Sequence, residues 1–68
     1  MNKHTREDVT AAYRAVTAAH GVMMRKQAAV DATRHATPEY RTAVADYRAA
    51  YATWQTLKAN YIATARAA

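Results

Sequence analysis

Two runs of apolar residues at seven-residue spacing constrain the fold of this chain more than any other feature. The second half carries four aromatic residues in this spacing, which are Tyr40, Tyr47, Trp54 and Tyr61. The first half carries an aliphatic set in the same spacing, which is Val9, Val16, Met23 and Val30. A seven-residue apolar repeat keeps one seam of a helix turned towards a partner helix, because two helical turns take close to seven residues. The two repeats predict two α-helices that pack on each other.

Composition and local start signals place these helices along the chain. The sequence contains one glycine and one proline, while alanine, the strongest helix former, occurs 19 times. Thr5 can cap a first helix with its hydroxyl group. Thr37 followed by Pro38 and Glu39 is typical of the start of a second helix, with a capping residue, a proline at the first helical position and an acid in the first turn.

We therefore predict an all-α fold, an antiparallel two-helix hairpin that forms a single domain over residues 1–68. The first helix is expected over about residues 5–35, the turn at about 35–37 and the second helix over about 38–66. A break at Gly21, which would give a three-helix monomer, is the alternative, because an interior glycine costs a helix about 1 kcal/mol relative to alanine.

A turn centred near residue 35 predicts which residues face each other. Facing residues of an antiparallel hairpin then have numbers that sum to about 70, so Val16 faces Trp54 and Met23 faces Tyr47. A slip by one helical turn stays open. Between these layers, the seam is predicted to contain Tyr13, His20 and Gln27 of the first helix. The predicted hairpin core is Val9, Val16, Met23, Val30, Tyr40, Tyr47, Trp54, Leu57 and Tyr61.

The length of the chain predicts that one copy does not suffice for a stable core. Chains of this size bury only about 60% of the surface that their unfolded forms expose. The sequence has no cysteine, and its three histidines show no zinc-binding spacing. Apolar residues cover a wider stripe of the first helix than one seam needs. We therefore predict a homodimer in which two hairpins form a four-helix bundle, and, without a long uncharged run, a cytoplasmic protein that does not bind membranes.

The sequence contains no recognisable catalytic set. Its five acidic residues are dispersed, and those at helix starts, such as Glu7 and Glu39, have a structural explanation in the helix dipole. No phosphate-binding loop, nucleophile with its base, or metal-ligand spacing is present. We expect no enzymatic activity, no cofactor and no metal ion.

Charge and exposed aromatic residues favour a role in binding. Ten basic residues against five acidic ones give a net charge of +5, which favours an acidic partner. Tyrosine and arginine are enriched in the residues that dominate protein interfaces. The predicted partner-binding residues are Tyr13, Arg14, Arg25, Arg41, Arg48 and Tyr51.

These features favour a non-catalytic regulatory protein that docks on a host macromolecule and inhibits or modulates it. The expected target is a protein with an acidic surface, and accessory proteins of phages and other mobile elements act in this way. Two alternatives stay open. One is a small dimeric regulator that binds RNA or DNA through basic residues near the turn. The other is a structural component of a larger assembly.

Overall fold

The described part of the chain is a hairpin of two antiparallel α-helices. A computed structural model describes residues 5–67, so residues 1–4 and 68 of the predicted domain lie outside the described range. Helix α1 comprises Arg6–Ala32 and helix α2 comprises Pro38–Ala67. The Cα atoms span 52 × 16 × 11 Å, as expected for two long helices side by side. The predicted all-α helical hairpin is confirmed, and α1 runs through Gly21 without a break.

Both helices begin with the caps that the sequence indicates. The backbone N–H of Asp8 donates to the Thr5 hydroxyl at 3.2 Å, and the N–H of Thr5 donates to the Asp8 carboxylate at 2.9 Å. This reciprocal pair satisfies two N–H groups that the first turn would otherwise leave free. At the start of α2 the N–H of Tyr40 donates to the Thr37 hydroxyl at 3.1 Å, and Pro38 occupies the first helical position.

Helix α1 ends at Ala32, about three residues before the predicted end. Thr33 is extended, with φ −98° and ψ 139°, and its hydroxyl donates to the carbonyl of Ala29. The Thr37 hydroxyl donates to the carbonyl of Arg34 at 2.8 Å. The reversal between side-by-side helices needs more backbone than the predicted turn at 35–37, so residues 33–37 form the connection.

The seam residues of α1 that lie between the Val9, Val16, Met23 and Val30 layers are each one position earlier in the sequence than predicted. Tyr13, His20 and Gln27 are exposed, whereas Ala12 and Ala19 are buried and Lys26 is half-buried. The reason is volume: the rings of α2 fill much of the space between the helices, and at 12 and 19 alanine fits beside them where another ring would not. The side chains at 13 and 20 are therefore turned to the edge of the seam.

Ring contacts across the hairpin indicate the register of the two helices, that is, which residues of α1 and α2 lie at the same level. The ring centroids of Tyr13 and Tyr61 are 5.7 Å apart, and those of His20 and Trp54 are 5.8 Å apart. A helical side chain leans towards the N-terminus of its own helix, so a ring of α2 reaches about one turn closer to the connection than its own Cα. The residue numbers in each pair sum to 74, four more than the predicted 70, and the lean of the side chains accounts for the direction of this difference. The predicted pairing of each ring with a particular aliphatic residue stays a prediction.

The core of one hairpin is thin. Among residues 5–67, the buried residues are Ala12, Ala19, Met23 and Thr64, and no large side chain is fully enclosed. Of the nine predicted core residues, Met23 is buried and the other eight are half-buried. Two helices in one layer enclose little volume, so their inward side chains keep contact with solvent.

Replacing Ala36 by glycine is expected to stabilise the hairpin by up to about 1 kcal/mol. Ala36 has a φ angle of 64°, in the left-handed region, where the Cβ of a residue other than glycine crowds the backbone. Glycine removes this strain, although part of the gain is offset by its greater freedom in the unfolded chain. Urea unfolding followed by circular dichroism measures the difference.

The matched control is Ala28→Gly in the exposed interior of α1, which is expected to destabilise the hairpin by about 1 kcal/mol. Equal destabilisation by both glycines would contradict the strained backbone at residue 36.

Candidate functional site

The hairpin has two broad faces that differ in chemistry. Positions are counted from the first seam residue of each heptad, such as Val16 in α1 or Trp54 in α2. A residue four positions later lies on one flank of the helix, and a residue one position earlier lies on the other flank. In an antiparallel pair, equivalent flanks come to the same broad side. We define the aromatic face by the first flank and its neighbouring positions: Tyr13, His20, Met24, Arg41, Val44, Arg48, Tyr51, Lys58 and Ile62. We define the acidic face by the second flank: Asp8, Ala15, Val22, Ala29, Glu39, Asp46, Thr53 and Asn60.

Trp54 is the centre of a ring cluster at the aromatic face. Its ring centroid lies 5.8 Å from that of Tyr51, one turn earlier in α2, and 5.8 Å from that of His20 in α1. The Lys58 ammonium group lies 4.9 Å from the same indole ring. The tilted ring pairs and the cation over the indole are favourable geometries, each contributing about 0.5–1.5 kcal/mol. Trp54 thereby links both helices.

The two exposed tyrosines of this face are each supported by another ring. The Tyr51 ring lies 6.1 Å from that of Tyr47, and its hydroxyl accepts a hydrogen bond from the Gln55 amide nitrogen at 2.8 Å. Tyr13 packs on Tyr61 across the hairpin. Rings held in this way present a defined surface to a partner, because fewer rotamers remain to be restricted on binding.

Most of the exposed large apolar side chains lie on this one face. Five such side chains are exposed among residues 5–67, and four of them belong to the aromatic face: Tyr13 at 56%, Met24 at 47%, Tyr51 at 42% and Ile62 at 39%. The fifth, Val22, belongs to the acidic face. Single exposed apolar residues are common, whereas several on one face make that face the candidate interaction surface of the hairpin.

The predicted partner-binding residues divide between the aromatic face and the rest of the surface. All six are exposed. Tyr13, Tyr51, Arg41 and Arg48 lie on the aromatic face, whereas Arg14 and Arg25 are turned away from it by their places in the heptad repeat. The Arg25 guanidinium lies back along α1, 3.6 Å from the point where a Cβ on Gly21 would stand.

The cations of the aromatic face are available to a partner. Within residues 5–67, neither Arg41 nor Arg48 forms an ion pair. Both lie on the same side of α2, seven residues apart, and Lys58 follows ten residues later. The face therefore combines apolar rings with unneutralised positive charge.

The acidic face carries two open grooves. A shallow groove of about 390 Å³ near the connection is lined by Lys26, Ala29, Glu39 and Asp46, with other short residues of α2. A second groove of about 560 Å³ near the open end is lined by Asp8, Ala15, Asn60 and neighbouring alanines. Both grooves are open to solvent, and neither encloses a small molecule.

The predicted partner-binding set lacks five members of the aromatic face: His20, Met24, Val44, Lys58 and Ile62. His20 was predicted in the seam, and its displacement to the edge follows from the placement of Ala19 in the seam instead. Lys58 and Ile62 lie four and eight residues after Trp54, on the same stripe of α2. That spacing was the signal that would have found them.

Two other kinds of site are absent from residues 5–67. No group of three His, Asp or Glu side chains is placed to hold a metal ion in this part of the chain. Neither of the two helices contains an apolar stretch of the length needed to cross a membrane.

Comparison with known proteins assigns no family. No protein-family model matches the chain, and neither characterised proteins nor solved structures give a significant match.

Replacing Trp54 by alanine is expected to destabilise the hairpin by about 3 kcal/mol, the lower end of the range for large aromatic residues, because the ring is half-buried. The loss removes contacts with His20, Tyr51 and Lys58 together. Chemical unfolding followed by circular dichroism measures it. Trp54→Phe, which keeps a ring, is the control and is expected to lose about half as much. Equal stability of Trp54→Ala and the parent chain would show that the cluster does not hold the helices together.

Proposed function

We propose that this chain is a non-catalytic binding protein that docks on another protein through its aromatic face and inhibits or modulates that protein. The supporting observation is that four of the five exposed large apolar side chains share one face with Arg41, Arg48 and Lys58. Tyrosine, tryptophan and arginine dominate the binding energy of protein interfaces, and here they are neighbours. Steric cover of a partner's surface needs no catalytic group.

The support of each exposed ring by a second ring favours tight docking. Tyr13 rests on Tyr61, and Tyr51 lies between Tyr47 and Trp54. Binding to such a surface restricts few new side-chain rotations, each of which costs about 0.5–1.5 kcal/mol. Met24 adds a flexible side chain that adapts to the shape of a partner.

The charge of the aromatic face favours a target with acidic residues around an apolar centre. The cations lie mainly on α2, and opposite charges on the target would raise the association rate and select against basic proteins. The target is proposed to be a host protein, and a phage or other mobile element is the proposed origin of such an accessory protein.

A protein target fits this face better than a nucleic acid does. Met24 and Ile62 are exposed aliphatic side chains, which neither stack on bases nor bond to phosphates. Tyr13 and Tyr51 already pack on rings of the hairpin. Binding of RNA or DNA through the arginines is the alternative outcome of the test below.

The test is capture of partners on the immobilised full chain from cells that express it. We expect one protein to be retained in near-equal amount, insensitive to nuclease, and to be lost with the double variant Tyr13→Ala and Tyr51→Ala. A tenfold or larger loss is expected, since each hot-spot truncation costs about 2 kcal/mol. Circular dichroism checks that the variant remains helical.

Val22→Ala is the matched control, because Val22 is exposed on the acidic face. It is expected to retain the partner. Recovery of nuclease-sensitive nucleic acid without a protein partner, or equal loss with Val22→Ala, would contradict the proposal.

A further inference from the structure

The two broad faces of this hairpin complement each other in charge. On α2, Arg41 and Arg48 lie on the aromatic face, and Glu39 and Asp46 lie on the acidic face, each two residues before one of the arginines. Within residues 5–67 none of these four side chains forms an ion pair. Two residues of helix rise about 3 Å, so each arginine and its acid stand at nearly the same level on opposite sides of the hairpin.

The faces also complement each other in shape. At the levels of the two exposed tyrosines, the acidic face carries short side chains: Ala15 follows Tyr13 by two residues, and Thr53 follows Tyr51 by two. The acidic face carries open grooves near the connection and near the open end. Rings on one surface and shallow grooves on the other fit when two hairpins stack.

We propose that a second copy of this chain covers the aromatic face with its acidic face, in a head-to-tail stack. Arg41 and Arg48 of one copy then meet Glu39 and Asp46 of the next, and the exposed rings lie over short side chains. Two stacked hairpins form a four-helix, two-layer unit. Because the contact joins different faces, each unit keeps one free aromatic face and one free acidic face, and assembly stays open.

Charge argues against the closed alternative, in which two aromatic faces pair symmetrically. That arrangement would bring Arg41, Arg48 and Lys58 of both copies together. The acidic residue on the same flank is Asp31, so three positive charges face one negative charge in each copy. Like charges that face each other across an interface oppose association. The head-to-tail contact places opposite charges together.

The size of the face is compatible with a stable contact. The Cα extents of 52 and 16 Å enclose a projected area of about 800 Å², similar to the accessible surface that one partner buries in a standard interface. The thin core of a single hairpin provides the driving force, since stacking covers the rings that one copy leaves exposed. This inference does not depend on the proposed target, because purified chain alone tests it; a target would compete for the same face.

The experiment is sedimentation velocity of the purified full chain over a concentration series at low and high salt. We expect the average mass to rise past the dimer with concentration and to fall with salt. Arg48→Glu and Asp46→Arg are each expected to raise the concentration needed for association about tenfold or more. The double variant, which exchanges the two charges, is expected to restore association.

Arg14→Glu is the control, since it makes the same charge change on the outer edge of α1, and it is expected to associate like the parent chain. A mass that stops at the dimer, or an Asp46→Arg variant that retains helix and associates normally, overturns the proposal, because Asp46 lies outside a symmetric aromatic interface. A chain that is monomeric at all concentrations overturns it as well. The parent series decides the question even where a variant loses its helices by circular dichroism.

Discussion

The rings that α2 turns towards α1 set the distance between the helices and the shape of everything outside the seam. These rings recur every seven residues, at Tyr40, Tyr47, Trp54 and Tyr61. On α1 the short side chains of Ala12 and Ala19 are buried, together with Met23. Because the rings fill the gap, the larger side chains at 13 and 20 move to its edge, where they pack on Tyr61 and Trp54. One packing constraint thus produces both the core and the aromatic face.

A two-helix layer that encloses so little is incomplete as a folded unit. Four residues of the described range are buried, and large apolar side chains remain exposed on one face. Small proteins without disulfides or metal ions commonly compensate by association. The aromatic face is the surface on which such compensation is proposed here, by a target protein or by the acidic face of another copy. Both occupants use the same rings and arginines, so on any one copy the binding of one excludes the other.

Sequence reasoning predicted the elements well and the edges of the seam poorly. The caps at Thr5 and Thr37 follow from local chemistry, since a hydroxyl group before a helix satisfies N–H groups of its first turn wherever the helix later packs. The end of α1 at Ala32 depended on how much backbone the reversal needs, which local signals do not contain. The choice between Ala12 and Tyr13 as a seam residue depended on the volume left by the facing rings. A heptad repeat allows a second apolar position three or four residues after the first, so the pattern alone did not separate them.

The sequence by itself determined that the chain forms two antiparallel helices with a connection before Pro38, because periodicity, alanine content and caps are properties of short segments. Only the tertiary structure decided that Tyr13, His20 and Met24 of α1 come to the same face as the stripe of α2 that carries Arg41, Arg48, Tyr51, Lys58 and Ile62. A shared face depends on how each helix is rotated about its axis. That rotation is fixed by the fit of rings against alanines between the helices, a contact between distant parts of the chain.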